Sequence, residues 1–282
     1  MQKFSELPYT RPDIAAAVEQ YKALSEALRG AETYAQAREA FQKAEALETA
    51  LSTAESLASI RNTMDTTDAF YDGEVAYFNE NLPNLIPVSK AFSEAIVNGP
   101  FCADFEREYG AHFIKLLENS LLVQDARIIG DLVRESALSV AYSKAAAACK
   151  TEFRGETCNF YGLLKHMEST DRAERREAFE KWAALYEAAA PELDRIYDEL
   201  IAVRADMAEK LGFESYTALA YRNRQRLDYT PEHVEKFREQ VRTVVTPAVS
   251  KMLEAQRRRL GVDKLRYYDE SLVFPGGNAD PA

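Results

Sequence analysis

The sequence predicts a mainly α fold, a multi-helix lobe of long antiparallel helices carrying one short β-hairpin near residues 149–160. Three observations predict it. Ile14, Val18, Tyr21, Leu24 and Leu28 recur at the three- and four-residue spacing of one helix face. Residues 33–63 are rich in Ala, Leu, Glu and Lys, all strong helix formers. Only CKTEFRGETCNFYG, residues 149–162, breaks the helical pattern, with Thr, Phe and Tyr flanking a central Arg154-Gly155.

The elements follow in order. Asp13 can cap a first helix that Gly30 stops. After the Ala-rich helix, Gly73, Pro83, Pro87, Gly99-Pro100 and Gly110 punctuate a series of shorter ones. Residues 122–148 read as one long helix with Ile128, Leu132, Leu138 and Tyr142 in its core. In the hairpin, a two-residue loop at Arg154-Gly155 places Cys158 opposite Thr151 and not opposite Cys149, which disfavours a cross-strand disulfide. Ser169, Thr170 or Asp171 can cap a very long segment ending near Leu211-Gly212, which Pro191 is expected to kink or divide. A helix over 214–226 comes next. Thr230, Pro231 and Glu232 then form a well-marked helix start, and that helix runs to Gly261 with a bend expected at Pro247. No short solenoid-type repeat is present. The implied organisation is an N-terminal helical region over 1–120, a helical lobe with the hairpin over 121–266, and an interrupted linker or tail over 267–282.

Composition excludes several classes. With 35 basic and 46 acidic side chains the net charge is −11, opposite to what a nucleic-acid or anionic membrane surface needs. No apolar run reaches the ~18–20 residues that span a bilayer. The N-terminus MQKFSELPYTRPDI lacks a signal-peptide core. Three cysteines, Cys102, Cys149 and Cys158, have no metal-type spacing and fit a reducing, cytoplasmic setting. Small molecules, peptides or protein surfaces are the expected partners.

The chemistry-bearing residues are sparse. His112, His166 and His233 are the three histidines, and none begins a His-Glu-x-x-His helix or follows a Glu by three residues. Each is read as structural, and the chain is expected to contain no catalytic and no metal-ligating residue. The stretch YRNRQRLDY sets Arg222, Arg224 and Arg226 beside Asp228 in a helix-to-turn transition. Two readings stay open there: an Arg–Asp network holding the turn, or a basic lining for a substrate carboxylate.

TEFRGETCNFYGLLKHMESTDRAERREAFEKW, then LGFESYTALAYRNRQRLDY, a Pro-interrupted helix and LRYYDESLVFPGGN follow one another in an order that resembles the oligoendopeptidase F family of zinc peptidases, related to thimet oligopeptidase. RNTMDTTDAFYDGEVAYFN and LVQDARIIGDLVRE fit the same family, so the likeness spans nearly the whole chain. It rests on the succession of pieces, and NRQRLDY lacks the Met-Gly associated with that turn in relatives.

The resemblance implies a helical, bi-lobed endopeptidase that cleaves short peptides in a deep channel. It also implies zinc held by the two histidines of His-Glu-x-x-His and a glutamate from a following helix. That motif comes after the segment that here ends at GGNADPA. The expectation is therefore an N-terminal portion of such an enzyme, inactive and without stoichiometric zinc by itself, its catalytic half and its zinc lying elsewhere. A surface meant for the missing half is expected to be apolar and to drive self-association. Two alternatives remain: a non-catalytic helical module that binds peptides or proteins, and one half of a split peptidase.

Overall fold

The computed structural model describes residues 3–279, so Met1, Gln2 and the last three residues of the expected tail lie outside the described residues. Helix starts obey local chemistry. Asp13 accepts the Ala16 amide at 3.0 Å and opens α1 (Ile14–Arg29). Thr33 and Gln36 form a capping box at α2 (Tyr34–Met64), and Asp68 caps α3 (Ala69–Asn81). Next come α4 (Ile86–Val97), α5 (Cys102–Tyr109) and α6 (Ala111–Val123). Gly110, at φ +90°, makes the break between the last two in a conformation that favours glycine.

The single helix expected over 122–148 is two. Gln124 and Asp125 are extended, and the Asp125 carboxylate caps a new start by accepting the Arg127 amide at 3.0 Å, ahead of α7 (Ile129–Ala148). An Asp that can bond its own downstream backbone competes with helix continuation, and here it wins. Ile128 and Leu138 are buried as expected, but Tyr142 is 47% exposed.

The chain divides into two compact units that do not follow chain order: Met1–Val140 with Asp198–Leu227, and Ala141–Tyr197 with Asp228–Ala282. In the first, the alanine face of α2 (Ala37, Ala40, Ala44) and Phe41 join Tyr21 and Leu28 of α1, Phe92 and Ile96 of α4 and Phe105 of α5 in one core. Small side chains let the helices close, while each fully buried Phe, Ile or Leu contributes about 1.5–3 kcal/mol. A second cluster gathers Ile14, Ala17, Leu51, Ala58 and Phe78. Beside it Glu74, 1% exposed, receives hydrogen bonds from Arg11 and from the Tyr9 hydroxyl. The Arg11 bonds hold the Glu74 carboxyl below its ordinary range against the opposing effect of burial. α10 (Tyr216–Asn223) adds Leu219 to a third cluster with Ile128, Met207 and Ala208.

In the second unit the hairpin has the predicted register. β1 (Thr151–Phe153) pairs with β2 (Glu156–Cys158), Thr151 opposite Cys158 and Phe153 opposite Glu156. Arg154 and Gly155 take φ +52° and +86°, both positive as a two-residue type I′ turn requires. α8 (Phe160–His166) packs back on the hairpin, burying Leu163 with Phe153, Cys158, Met167 and Ala178. α9 (Arg172–Leu211), of which the residues up to Tyr197 belong to this unit, continues over 40 residues through Pro191 without dividing. Pro191 and Glu187 are both exposed, so the carbonyl that loses its partner there lies within reach of water.

α11 (Pro231–Gln240) leads through a π turn at Val241–Val245 into α12 (Thr246–Leu260). The irregularity expected at Pro247 thus lies just before it. Phe237, Val244, Val245, Val249 and Met252 form an exposed apolar stripe along these helices. Among the described residues, no helix is long and apolar enough to cross a membrane.

Beyond α12 the chain returns to α9. Asp269, 0% exposed, receives Arg175 Nη2 at 2.8 Å and Arg172 Nη2 at 2.9 Å, together with the Arg266 amide at 2.9 Å. Gln256 Nε2 donates to the carbonyls of Asp269, Glu270 and Leu272 at 3.3, 3.0 and 2.7 Å. Burial raises the Asp269 pKa, but the arginine bonds outweigh it and the net shift is downward. A depressed folded-state pKa means the carboxylate's stabilisation is present at neutral pH. It is lost as pH falls below about 4, the ordinary Asp value. Asp269→Asn leaves the buried Arg175 guanidinium without its counter-charge, so urea unfolding at pH 7 is expected to show a loss of about 3–5 kcal/mol. The variant's stability is also expected to fall less steeply than wild type between about pH 4 and 2.

Candidate functional site

The three arginines picked out by sequence sit at the end of α10. Arg222 and Arg224 are exposed, and among the described residues neither side chain makes a hydrogen bond or ion pair. Arg226 is half-buried with its guanidinium 5.0 Å from the centre of the Tyr221 ring. The turn is held by main-chain bonds, Arg226 N to the Tyr221 carbonyl and Gln225 N to the Arg222 carbonyl, both at 2.9 Å. It is held also by Asn119, a buried residue whose Nδ2 donates to the Arg222 carbonyl at 2.9 Å. Arg222 and Arg224 are therefore not consumed by the structure of the turn.

The histidines have separate surroundings. His112 is exposed on α6. His233 lies in the first turn of α11, where its Nδ1 accepts the Thr230 amide at 3.1 Å as part of the helix cap. His166 is half-buried at the end of α8. Its Nδ1 lies 2.7 Å from Glu174 Oε1, and Ser169 Oγ donates to the other Glu174 oxygen at 3.0 Å. The His166 bond is the largest influence lowering the Glu174 pKa. A His-Glu-x-x-His zinc requires two imidazoles one helical turn apart, and these three do not supply it. The residues present do not fit the zinc that such a motif holds.

The fold does bring together a group that spacing conceals. One donor atom each from Glu156, Cys158 and His166 lies within 4.8 Å of the other two. Glu156 and Cys158 are two apart on β2 and so share a strand face. His166 arrives from the next helix, its ring edge-on to Phe153 with centroids 4.8 Å apart. The two-residue spacing in a strand already read as such was the available signal; a partner from the following helix was not visible. Cys102, Cys149 and Cys158 are all free thiols.

Residues 4–123 match the Peptidase M3 N-terminal domain and residues 165–272 match Peptidase family M3. No curated protein matches the chain. Among solved structures, a protein described as an oligoendopeptidase F is 37% identical with a TM-score of 0.96, over 99% of this chain and 49% of its own. A protein described as an oligoendopeptidase F from Bacillus anthracis str. Ames is 33% identical with a TM-score of 0.94, over 99% of this chain and 51% of its own. PZ peptidase A, solved with an inhibitor, is 36% identical with a TM-score of 0.95, over 98% of this chain and 49% of its own. The chain thus spans about half the length of the structures it matches.

Replacing both Arg222 and Arg224 with Gln is expected to change unfolding stability by less than about 0.5 kcal/mol, as for exposed residues without partners. Asn119→Ala, which strips the Arg222 carbonyl of its buried donor, is expected to cost about 1–3 kcal/mol in the same urea titration.

Proposed function

The chain belongs to peptidase family M3, and on that premise we propose that it is the N-terminal portion of a zinc-dependent oligoendopeptidase that hydrolyses short peptides. The observation that carries this reading is the agreement in fold over 99% of the chain with 49% of an oligoendopeptidase F-type structure. Zinc and the base that activates water belong, in this reading, to a catalytic half this chain does not contain. The chain's own residues bind and pack. Of the candidates Arg222, Arg224 and Arg226, the first two are the ones proposed to pair with a peptide carboxylate. Their exposure and the lack of a side-chain hydrogen bond or ion pair among the described residues support this reading. Free thiols favour a cytoplasmic setting.

The apolar stripe of Phe237, Val244, Val245, Val249 and Met252 is the surface offered to the catalytic half. Without that half it is expected to bind a hydrophobic dye and to give oligomers that grow with concentration in gel filtration. Val244→Asp is expected to reduce both; sharp monomeric elution without dye binding counts against the assignment.

The activity test uses an internally quenched short peptide. The chain alone is expected to give no chelator-sensitive cleavage. Mixing with, or fusion to, the His-Glu-x-x-His-bearing half of a relative is expected to restore it. Cleavage by the chain alone that a chelator abolishes defeats the proposal. Failure of every complementing half, together with peptide binding by this chain, leaves instead a helical peptide-binding module.

A further inference from the structure

We propose that Glu156, Cys158 and His166 form a binding site for one divalent ion of the zinc class, with Glu174 as the positioning residue for His166. This goes beyond the peptidase reading and does not depend on it. Among the described residues these three are the only group of at least three Glu, Asp, Cys or His donors gathered so closely.

The geometry is built into the hairpin. The Thr151–Cys158 pairing fixes Cys158 at the end of β2 with its side chain turned inward, 3% exposed. Glu156, two residues back on the same strand face, is exposed and can swing. Asn159 caps α8 by accepting the Gly162 amide at 2.9 Å, which turns the helix back over the thiol. A Cβ at Gly162 would stand 3.2 Å from Cys158 Cβ and 3.4 Å from its sulfur, so glycine allows this close approach. One turn further along, α8 delivers His166.

The imidazole has the outer partner that a metal-ligating histidine has. Because the Glu174 carboxylate accepts from Nδ1–H at 2.7 Å and is itself fixed by Ser169, the lone pair of the neutral ring lies on Nε2. A carboxylate behind the far nitrogen is the usual outer partner of a zinc-bound histidine, fixing its tautomer and raising its basicity. Ligands at zinc–sulfur and zinc–nitrogen bond lengths in a tetrahedron stand roughly 3.5 Å apart. The donor atoms, which lie within 4.8 Å of one another, must therefore draw together on binding, and the exposed Glu156 is the side chain freest to move.

Charge and donor type select the ion. A thiolate, an imidazole and a carboxylate suit zinc or cobalt better than magnesium or calcium, which prefer all-oxygen shells. Binding displaces the Cys158 thiol proton to solvent, and the two anionic donors then offset the dication. Arg154, the nearby cation on the hairpin turn, is engaged by Glu177 at 3.0 Å. Three protein donors leave the fourth position to water on the side of Glu156. The proposal thus runs against the sequence-based expectation of no stoichiometric zinc, and the zinc measurement decides between them.

The experiment is equilibrium dialysis of the full chain against Zn²⁺ alone, with Co²⁺ substitution read by absorption. One equivalent of zinc is expected, and cobalt is expected to show a thiolate-to-metal band in the near ultraviolet. Cys158→Ser should abolish the band and Cys149→Ser should leave it. Glu156→Gln, a surface change that leaves the core intact, should weaken zinc binding roughly tenfold. Glu174→Gln should keep the band but lower affinity about 10–100-fold, with circular dichroism confirming that each variant is folded. No stoichiometric zinc in the folded wild type, a band that survives Cys158→Ser, or unaltered affinity in both glutamate variants overturns the proposal.

Discussion

The carboxylate of Asp269 is the constraint on which the second unit depends. It is fully buried, and an ionised group in that position is tolerable only when its lone pairs are met. Arg172 and Arg175, one turn apart at the start of α9, meet them with the Arg266 amide. Arg175 also donates to the carbonyls of Ser169 and Tyr268 at 2.8 and 3.2 Å. One guanidinium therefore ties together the approach to α9 and the segment beyond α12. Tyr267 and Tyr268 come to rest beside Phe179 as a result. The first unit uses the same device at Glu74, where Arg11 and Tyr9 tether the residues ahead of α1 to α3. In both places a buried acid paired with arginine ties a segment outside the main helices to a helix face.

Much of this fold was legible in the sequence because it is local. Asp13 and the Thr230-Pro231 pair are caps whose effect reaches only one turn, and each starts a helix where expected. Arg154-Gly155 demanded positive φ angles, and the register that placed Cys158 opposite Thr151 followed from the loop length. The discrepancies arise where two local preferences compete. Asp125 could cap or continue, and capping won. Pro191 removes one hydrogen bond, but the helix is anchored on both sides of it, by Ala178 and by Ile196, Leu200 and Val203. Packing over many turns outweighs one missing bond.

What composition and spacing could not display is convergence from distant positions. Asp269 reads as one of many acids on an acidic chain until the arginines almost a hundred residues earlier are placed beside it. The grouping of Glu156, Cys158 and His166 is hidden for a related reason: its members belong to elements of different periodicity, a strand and a helix. The arginines of YRNRQRLDY were visible as a motif, yet the residue that stabilises their turn, Asn119, comes from α6. Family resemblance was legible because it resides in the order of segments, and order survives even where no single segment is diagnostic.

Gln256 acts in a way that bears on how this protein can diverge. Its side-chain amide addresses only main-chain oxygens, those of Asp269, Glu270 and Leu272. It therefore recognises the path of that segment and is blind to most of its side chains. Glu270 and Ser271, both exposed, are free to drift under selection for whatever surface the neighbourhood needs. The route of the backbone stays the same. Gln256 itself is the opposite case: Glu at that position would set a carboxylate against three carbonyl oxygens. The segment can change its lettering while the clamp that holds it cannot.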